Sequence, residues 1–368
     1  MAKLRTSSTR SFLIPLLLAF IGLLLIPVAL LIVYVWYVQV ADLNWKATTL
    51  LLVAVIGFFV GYIGFLQVAK AFRRRFQDMI GAITSLMKGD RQQLKGEIAV
   101  SYSDEFGQLG MAFNDLQQFT SIKYANIEQE LQLAYYVQQS LLPREEYELS
   151  NFHIAAICRQ TKDVGGDFYD IVKLGDHKFA CLVGDVANKG MQAALLMSAS
   201  MSLFRREMNL GGSAGEILTR LNRHLYQALQ AKIFVTVGLA IYDQSSSEET
   251  VEYANAGHMP PYLLVDGKLT DYIYPSMPLG VSPDSQYKSH KIELPAGSRF
   301  IMYTDGMIES LNGDGTMVGF EGFEQYLLQL ESSSEPLQQV NHLMQQAVPT
   351  VSNKTEDDIT IVMLKRLG

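Results

Sequence analysis

Five aspartates stand in short turns spread across the C-terminal half of this chain, most of them beside glycine. They are Asp167 in Val164-Gly165-Gly166-Asp167-Phe168-Tyr169-Asp170, Asp185 in Gly184-Asp185-Val186, Asp305 in Tyr303-Thr304-Asp305-Gly306, and the pair Asp357-Asp358 before Ile359-Thr360. Each borders an apolar, β-prone run. A carboxylate at the end of a core strand is costly to bury unless its charge is compensated. Hard divalent cations with oxygen ligands supply that compensation. The pattern predicts a metal-dependent enzyme built on strands, and it leaves the first third of the chain for another role.

That first third is apolar. Hydrophobic residues make up 49% of the 368, and the excess lies in the first 70. Residues 11–41 and 47–69 contain no charged side chain. Each run exceeds the roughly 20 residues that cross a hydrocarbon core as a helix. Two transmembrane helices are therefore expected, at about 12–40 and 47–69 within a segment 1–70. The first run is too long for the apolar part of a cleaved signal peptide. Lys3, Arg5 and Arg10 precede the first run, and Lys70, Arg73, Arg74 and Arg75 follow the second. Positive flanks mark the cytoplasmic side. The expectation is a multi-pass protein of the cytoplasmic (inner) membrane with both termini and the catalytic half in the cytoplasm. The outer loop around Asp42 to Lys46 is too short to fold as a sensor domain.

The net charge of −7 argues against nucleic acid as a partner. Cys158 and Cys181 lie in apolar runs without CxxC spacing, so they are expected in the core and not in a zinc site or a disulfide.

From residue 71 the pattern turns helical, with Phe76, Ile80, Ile83 and Met87 at three- and four-residue spacing. A second run begins near Ser103-Asp104-Glu105 and continues through Leu109, Phe113, Leu116 and Phe119. Two short amphipathic helices after a membrane helix resemble a HAMP signalling domain. The matching residues are Gly89-Asp90, Asp104-Glu105-Phe106-Gly107 and Phe113-Asn114. The proline usual near the start of the first HAMP helix is missing. The HAMP-like segment is expected at 71–122, and a helical linker or coiled coil at 123–150. Ile127, Leu131, Ala134, Val137 and Leu141 form an apolar stripe that favours a parallel homodimer. Pro143 ends the helix.

After residue 151 the texture changes to short β-prone runs. Strands are expected at 154–158, 168–173, 179–186, 234–242, 251–254, 299–303 and 360–364, and helices at 191–208, 214–229, 320–330 and 337–347. Strands adjacent in sequence with helices in blocks indicate an α+β fold of antiparallel sheets covered by helices.

Eight segments over 151–368 and the preceding linker resemble, in order, the SpoIIE-like branch of the metal-dependent (PPM, type 2C) serine/threonine phosphatases. They are Gln138-Gln139-Ser140-Leu141-Leu142-Pro143, Val164 to Asp170, Gly184 to Gly190, Ala193-Ala194-Leu195-Leu196-Met197, Ala256-Gly257-His258-Met259-Pro260-Pro261, Pro278-Leu279-Gly280, Tyr303 to Gly306 and Asp357 to Thr360. The resemblance implies a PPM-type α-β-β-α sandwich with two Mn²⁺ or Mg²⁺ ions at one edge of the sheets. Such ions activate a water and neutralise phosphoryl charge. On the same resemblance, Asp185 bridges the ions and the Val186 carbonyl adds an oxygen. Asp305 and Asp357 hold one ion, with Asp358 the alternative to Asp357, and Asp167 is a more peripheral ligand.

Asn188 stands where the family usually has glycine, and asparagine tolerates left-handed backbone. Lys189 is either a phosphate contact or a solvated turn residue. His258 is either a general acid for the leaving oxygen or a histidine that hydrogen-bonds a nearby loop. Tyr169 and Glu309 are further near-site candidates. The expected function is a membrane-anchored serine/threonine phosphatase controlled through its helical connector. By resemblance its substrate is a phosphorylated STAS-domain anti-sigma-factor antagonist. The alternative is a membrane-tethered pseudophosphatase that binds a phosphoprotein without hydrolysing it. No cysteine-phosphatase loop, nucleotide cradle or kinase catalytic loop is present in the sequence.

Overall fold

The structure, a computed structural model, describes residues 29, 32–37, 39, 45–87, 105–149, 151–160, 164–229, 233–244, 249–312, 315–331, 334–347 and 357–367. The chain divides into two compact units, Met1–Ile122 and Lys123–Gly368.

In the first unit, helix α1 spans Trp45–Met87 and carries the second charge-free run. Among the described residues no helix is long and apolar enough to cross a membrane. Large apolar side chains along α1 point outward, with Leu52, Val53, Ile56 and Val60 all more than half exposed. The span expected at 12–40 lies largely outside the described residues, and Gly89-Asp90 and Asp104 lie outside them. Neither the two spans nor a HAMP arrangement is established by the structure. Helix α2, Glu105–Leu141, is continuous where the sequence suggested a HAMP helix followed by a separate linker. It stops two residues before Pro143, whose ring fits no helix interior.

The second unit takes α2 from Lys123 onward and two antiparallel sheets. The first sheet has the order β1 (Glu146–Leu149), β2 (Phe152–Arg159), β11 (Ile359–Arg366), β10 (Arg299–Tyr303), β7 (Tyr262–Val265) and β8 (Lys268–Asp271). The second has the order β3 (Phe168–Lys173), β4 (Lys178–Val186), β5 (Val235–Asp243), β6 (Thr250–Ala256) and β9 (Ser289–Glu293). The first sheet thus draws its edge strand β1 from the segment read as linker, and position 151 is the turn of the β1–β2 hairpin.

Alternation along each strand builds three apolar layers. Phe179, Cys181 and Val183 of β4 meet Phe300 and Met302 of β10 in the layer between the sheets. The intervening Ala180 and Leu182 turn outward, beneath α3 (Met191–Asn209) and α4 (Ala214–Leu229), with Met197, Phe204 and Leu221. On the other side Ile301 and Tyr303 pack under α6 (Gly319–Leu328) and α7 (Pro336–Ala347), with Phe323 and Leu343. This is the expected α-β-β-α sandwich. Its central strands are buried on both faces, which is why they read as continuous apolar runs. Cys181 is buried between the sheets, Cys158 is half-buried, and both are free thiols.

Candidate metal centre

The antiparallel registers bring the five aspartates to one edge. Phe168 pairs with Gly184, which sets Asp167 and Asp185 at neighbouring strand ends in the second sheet. Tyr303 pairs with Ile361, and the Thr304 amide donates to the Thr360 carbonyl at 3.0 Å. Asp305 and Asp357-Asp358 therefore flank the same edge of the first sheet. Asp305 opens the single-turn helix α5, Gly306–Glu309.

Hydrogen bonds tie the two sheets together at this edge. Asp167 is 2% exposed and accepts from the Thr304 hydroxyl at 2.7 Å and the Thr360 hydroxyl at 2.8 Å through one carboxylate oxygen. The Gly166 amide donates to Asp358 Oδ2 at 2.9 Å. A Cβ on Gly166 would stand 2.7 Å from the Val186 carbonyl oxygen, so only glycine lets these strands close on each other. Asp358 is buried, whereas Asp357 is partly exposed and pairs with Lys189 Nζ at 2.8 Å.

The carboxylates oppose one another's ionisation. Burial, and then the charge of Asp185, holds Asp167 well above the ordinary carboxylate range. Burial, followed by the charges of Asp305, Asp357 and Asp358, pushes Asp185 up to about 7. Burial and then Asp357 raise Asp305. Burial works against the charge of Lys189, but the hydrogen bond and charge of Asp357 hold its pKa up. Among the described residues no three His, Cys, Asp or Glu side chains are already drawn into a metal-holding group. The fit to divalent metal therefore rests on donor chemistry: buried carboxylate oxygens in excess of nearby positive charge. Mg²⁺-like ions suit such open sites because they keep several waters and take only one or two carboxylates.

The other sequence candidates fall into place around this edge. Asn188 has φ 86°, the left-handed geometry expected of a glycine there, and Gly190 with φ 83° precedes α3. His258 is buried, its Nδ1 3.0 Å from the Thr236 hydroxyl, and burial lowers its pKa to about 4, partly offset by the Tyr303 backbone. Its loop is pinned by Asn255, which accepts from the His258 amide at 2.8 Å and donates to the His258 carbonyl at 3.1 Å. The Tyr169 hydroxyl donates to the Pro143 carbonyl at 3.0 Å, and Glu309 is exposed.

Sequence reasoning overlooked Thr304, Thr360, Asn255 and the pair in which Arg205 Nε donates to Asp170 Oδ2 at 2.6 Å. The threonines sit inside quoted motifs. Thr360 lies two positions beyond Asp358, on the same face of its strand, which is the signal that was available.

Residues 175–367 match the family profile of Stage II sporulation protein E (SpoIIE). The chain is 28% identical over 259 residues to phosphoserine phosphatase RsbU of Bacillus subtilis (strain 168), covering 70% of this chain and 76% of RsbU. Phosphoserine phosphatase RsbP of the same organism is 28% identical over 191 residues, 50% of this chain and 46% of RsbP. The fold is shared with the SiaA-PP2C domain of Pseudomonas aeruginosa, at TM-score 0.57 and 21% identity, covering 67% of this chain and 99% of that one. It is shared also with the PP2C phosphatase domain of SpoIIE from Bacillus subtilis, at TM-score 0.52 and 20% identity, covering 60% and 64%. With more than half of its length matched to that profile, the chain belongs to the SpoIIE family.

Proposed function

We propose that Lys123–Gly368 hydrolyses phosphoserine or phosphothreonine on a protein, using two divalent ions, Mn²⁺ or Mg²⁺. The enzyme class is metal-dependent serine/threonine phosphatase, in keeping with the phosphoserine phosphatases to which the chain is similar. One observation carries the reading: Asp167, Asp185 and Asp305, with Asp357-Asp358, converge from strand ends of both sheets, and burial followed by neighbouring carboxylate charge raises the proton affinity of Asp167, Asp185 and Asp305. Added positive charge stabilises such a cluster in its ionised form. When bound, the ions supply an activated water and neutralise charge on the phosphoryl oxygens. Asp185, central to the cluster, would face both ions, with the Val186 carbonyl beside it. Asp305 and Asp357 would hold one ion, and Asp167 would stand further out. Asp185→Asn and Asp305→Asn should each abolish Mn²⁺-dependent phosphate release from a phosphoserine protein while leaving the fold intact. Wild-type turnover by either variant at saturating Mn²⁺ would show the assignment to be wrong. A wild-type protein that binds the phosphoprotein and releases no phosphate would be a pseudophosphatase.

The cellular setting is proposed from the sequence. The charge-free runs 11–41 and 47–69, with basic flanks, support anchoring in the cytoplasmic membrane with the catalytic unit inside. The outward apolar side chains of α1 agree with a helix meant for lipid. Recovery of the full chain in the soluble fraction without detergent would end this reading. Ile127 and Val137, both at least half exposed on α2, support a parallel homodimer. Single cysteines at Leu131 or Val137 should crosslink two chains, and crosslinking only off the stripe would contradict the register. The substrate is proposed to be a STAS-domain anti-sigma-factor antagonist. A deletion strain with no rise in phosphorylation of any STAS protein would point elsewhere. Control through α2 is expected by population shift, with Leu141 and Leu142 packed on the core as the coupling contacts. Polar substitutions there that left turnover and metal affinity unchanged would make the helix a tether only.

A further inference from the structure

Gln138 is 2% exposed, three residues from the end of a helix whose neighbouring side chains mostly face outward. Its side-chain amide meets the backbone of one residue twice. Nε2 donates to the Gly165 carbonyl at 2.6 Å, and Oε1 accepts from the Gly165 amide at 3.3 Å. A glutamine amide is the side chain suited to this task, with one donor and one acceptor side by side at the reach of two methylenes. Burying such an amide is costly unless both ends are paired, and here both are. A Cβ on Gly165 would collide with the Asp358 carboxylate, so the loop runs pressed against the acidic edge. The next amide, Gly166, is the donor to Asp358 Oδ2, and the residue after it is Asp167. The loop has its own link to the second sheet, where the Val186 amide donates to the Gly166 carbonyl at 3.4 Å.

We propose that Gln138 is a positioning residue for the metal centre: its side-chain amide clamps Gly165 and so sets where Asp167 and the Gly166–Asp358 bond stand relative to Asp185. It touches neither substrate nor metal. It acts by fixing a glycine-rich loop that would otherwise sample many backbone states. This rests on the metal-centre reading for its consequence in catalysis. The clamp itself is a property of the metal-free chain.

The test uses the full-length protein in detergent and the variants Gln138→Ala and Gln138→Glu. The glutamate keeps an acceptor for the Gly165 amide but cannot donate to the carbonyl. Three readouts are taken: hydrogen exchange of the peptide containing residues 164–168 in EDTA, Mn²⁺ binding by calorimetry, and the thermal midpoint in EDTA. Both variants are expected to exchange faster at 164–168 by about tenfold, a loss of about 1.4 kcal/mol in local opening. Mn²⁺ binding should weaken by a similar factor, and any fall in the thermal midpoint in EDTA should be no larger than that local loss implies. Unchanged exchange at 164–168 overturns the proposal whether or not the protein binds metal. A lowered thermal midpoint with unaltered Mn²⁺ binding also overturns it, since Gln138 would then be a packing residue. If the wild-type protein binds no Mn²⁺, the metal-centre reading falls, and the exchange measurement still decides the clamp.

Discussion

The Gly166 amide donates to Asp358 Oδ2 at 2.9 Å, joining loop and strand 192 positions apart in the chain. That bond separates two adjacent aspartates that look equivalent in sequence. Asp358 is buried and accepts from the amide of the distant Gly166, whereas Asp357 is partly exposed, accepts from the adjacent Asp358 amide at 2.9 Å through Oδ1 and pairs with Lys189 Nζ at 2.8 Å through Oδ2. On the proposed metal-centre reading, Asp357 is the aspartate that would exchange a side-chain cation for a metal ion.

The two positions should respond differently to mutation. Asp357→Ala should weaken Mn²⁺ binding with little change in stability, because an exposed ion pair contributes about 0–1 kcal/mol. Asp358→Ala should cost about 1–3 kcal/mol, the penalty for a buried amide left without an acceptor. Denaturant unfolding in EDTA together with Mn²⁺ calorimetry separates the two, and equal stability losses would remove the distinction.

The acidic cluster makes the metal-free protein sensitive to pH in a defined direction. Burial and the neighbouring carboxylates raise Asp185 to about 7, against an unfolded value of roughly 4. Between those values the folded state holds a proton that the unfolded chain has released. The contribution of Asp185 to stability is thus most favourable below about pH 4 and declines as pH rises to about 7. In EDTA the thermal midpoint of wild type minus that of Asp185→Asn should fall between pH 5 and 7. With Mn²⁺ present the wild-type trend should reverse, because metal binding favours the deprotonated carboxylate. A difference in EDTA that rises over this range contradicts the electrostatic picture.

Arg205 closes the junction between the end of α2 and the second sheet. Its guanidinium meets both oxygens of buried Asp170, at 2.6 and 3.1 Å, and donates to the Leu141 carbonyl at 2.9 Å. Arg205→Ala would leave a carboxylate of 2% exposure with the Ile171 amide at 3.0 Å as its remaining donor among the described residues. A loss of about 2 kcal/mol follows, or roughly 4–8 °C in the thermal midpoint. Arg205→Lys should recover little, because an ammonium cannot reproduce the two-pronged contact. A lysine variant as stable as wild type would mean the fork geometry is irrelevant.

Much of the fold was legible because its central strands obey a simple rule. The strands at 168–173 and 299–303 and the helix at 214–229 stand where their sequence pattern put them. The strands at Glu146–Leu149, Tyr262–Val265, Lys268–Asp271 and Ser289–Glu293 escaped notice. They have four or five residues each, and most show polar exposed positions, so their pairing comes from a neighbour and not from their own apolar content. Likewise, the one-turn helix at Gly306–Glu309 is too short to carry a period.

By itself the sequence determined the residue types of the site, their order, and the apolar alternation that forces them to strand ends. Asn188 at φ 86° was readable as a left-handed position for the same local reason. What only the tertiary structure decided is who touches whom. The Thr304 and Thr360 hydroxyls on Asp167, the Gly166 amide on Asp358, the buried His258 against Thr236 and the Gln138 amide on Gly165 are contacts between distant segments. A carboxylate's proton affinity, like a glutamine's pairing, is set by burial and by neighbours brought from elsewhere in the chain, and no local pattern encodes those distances.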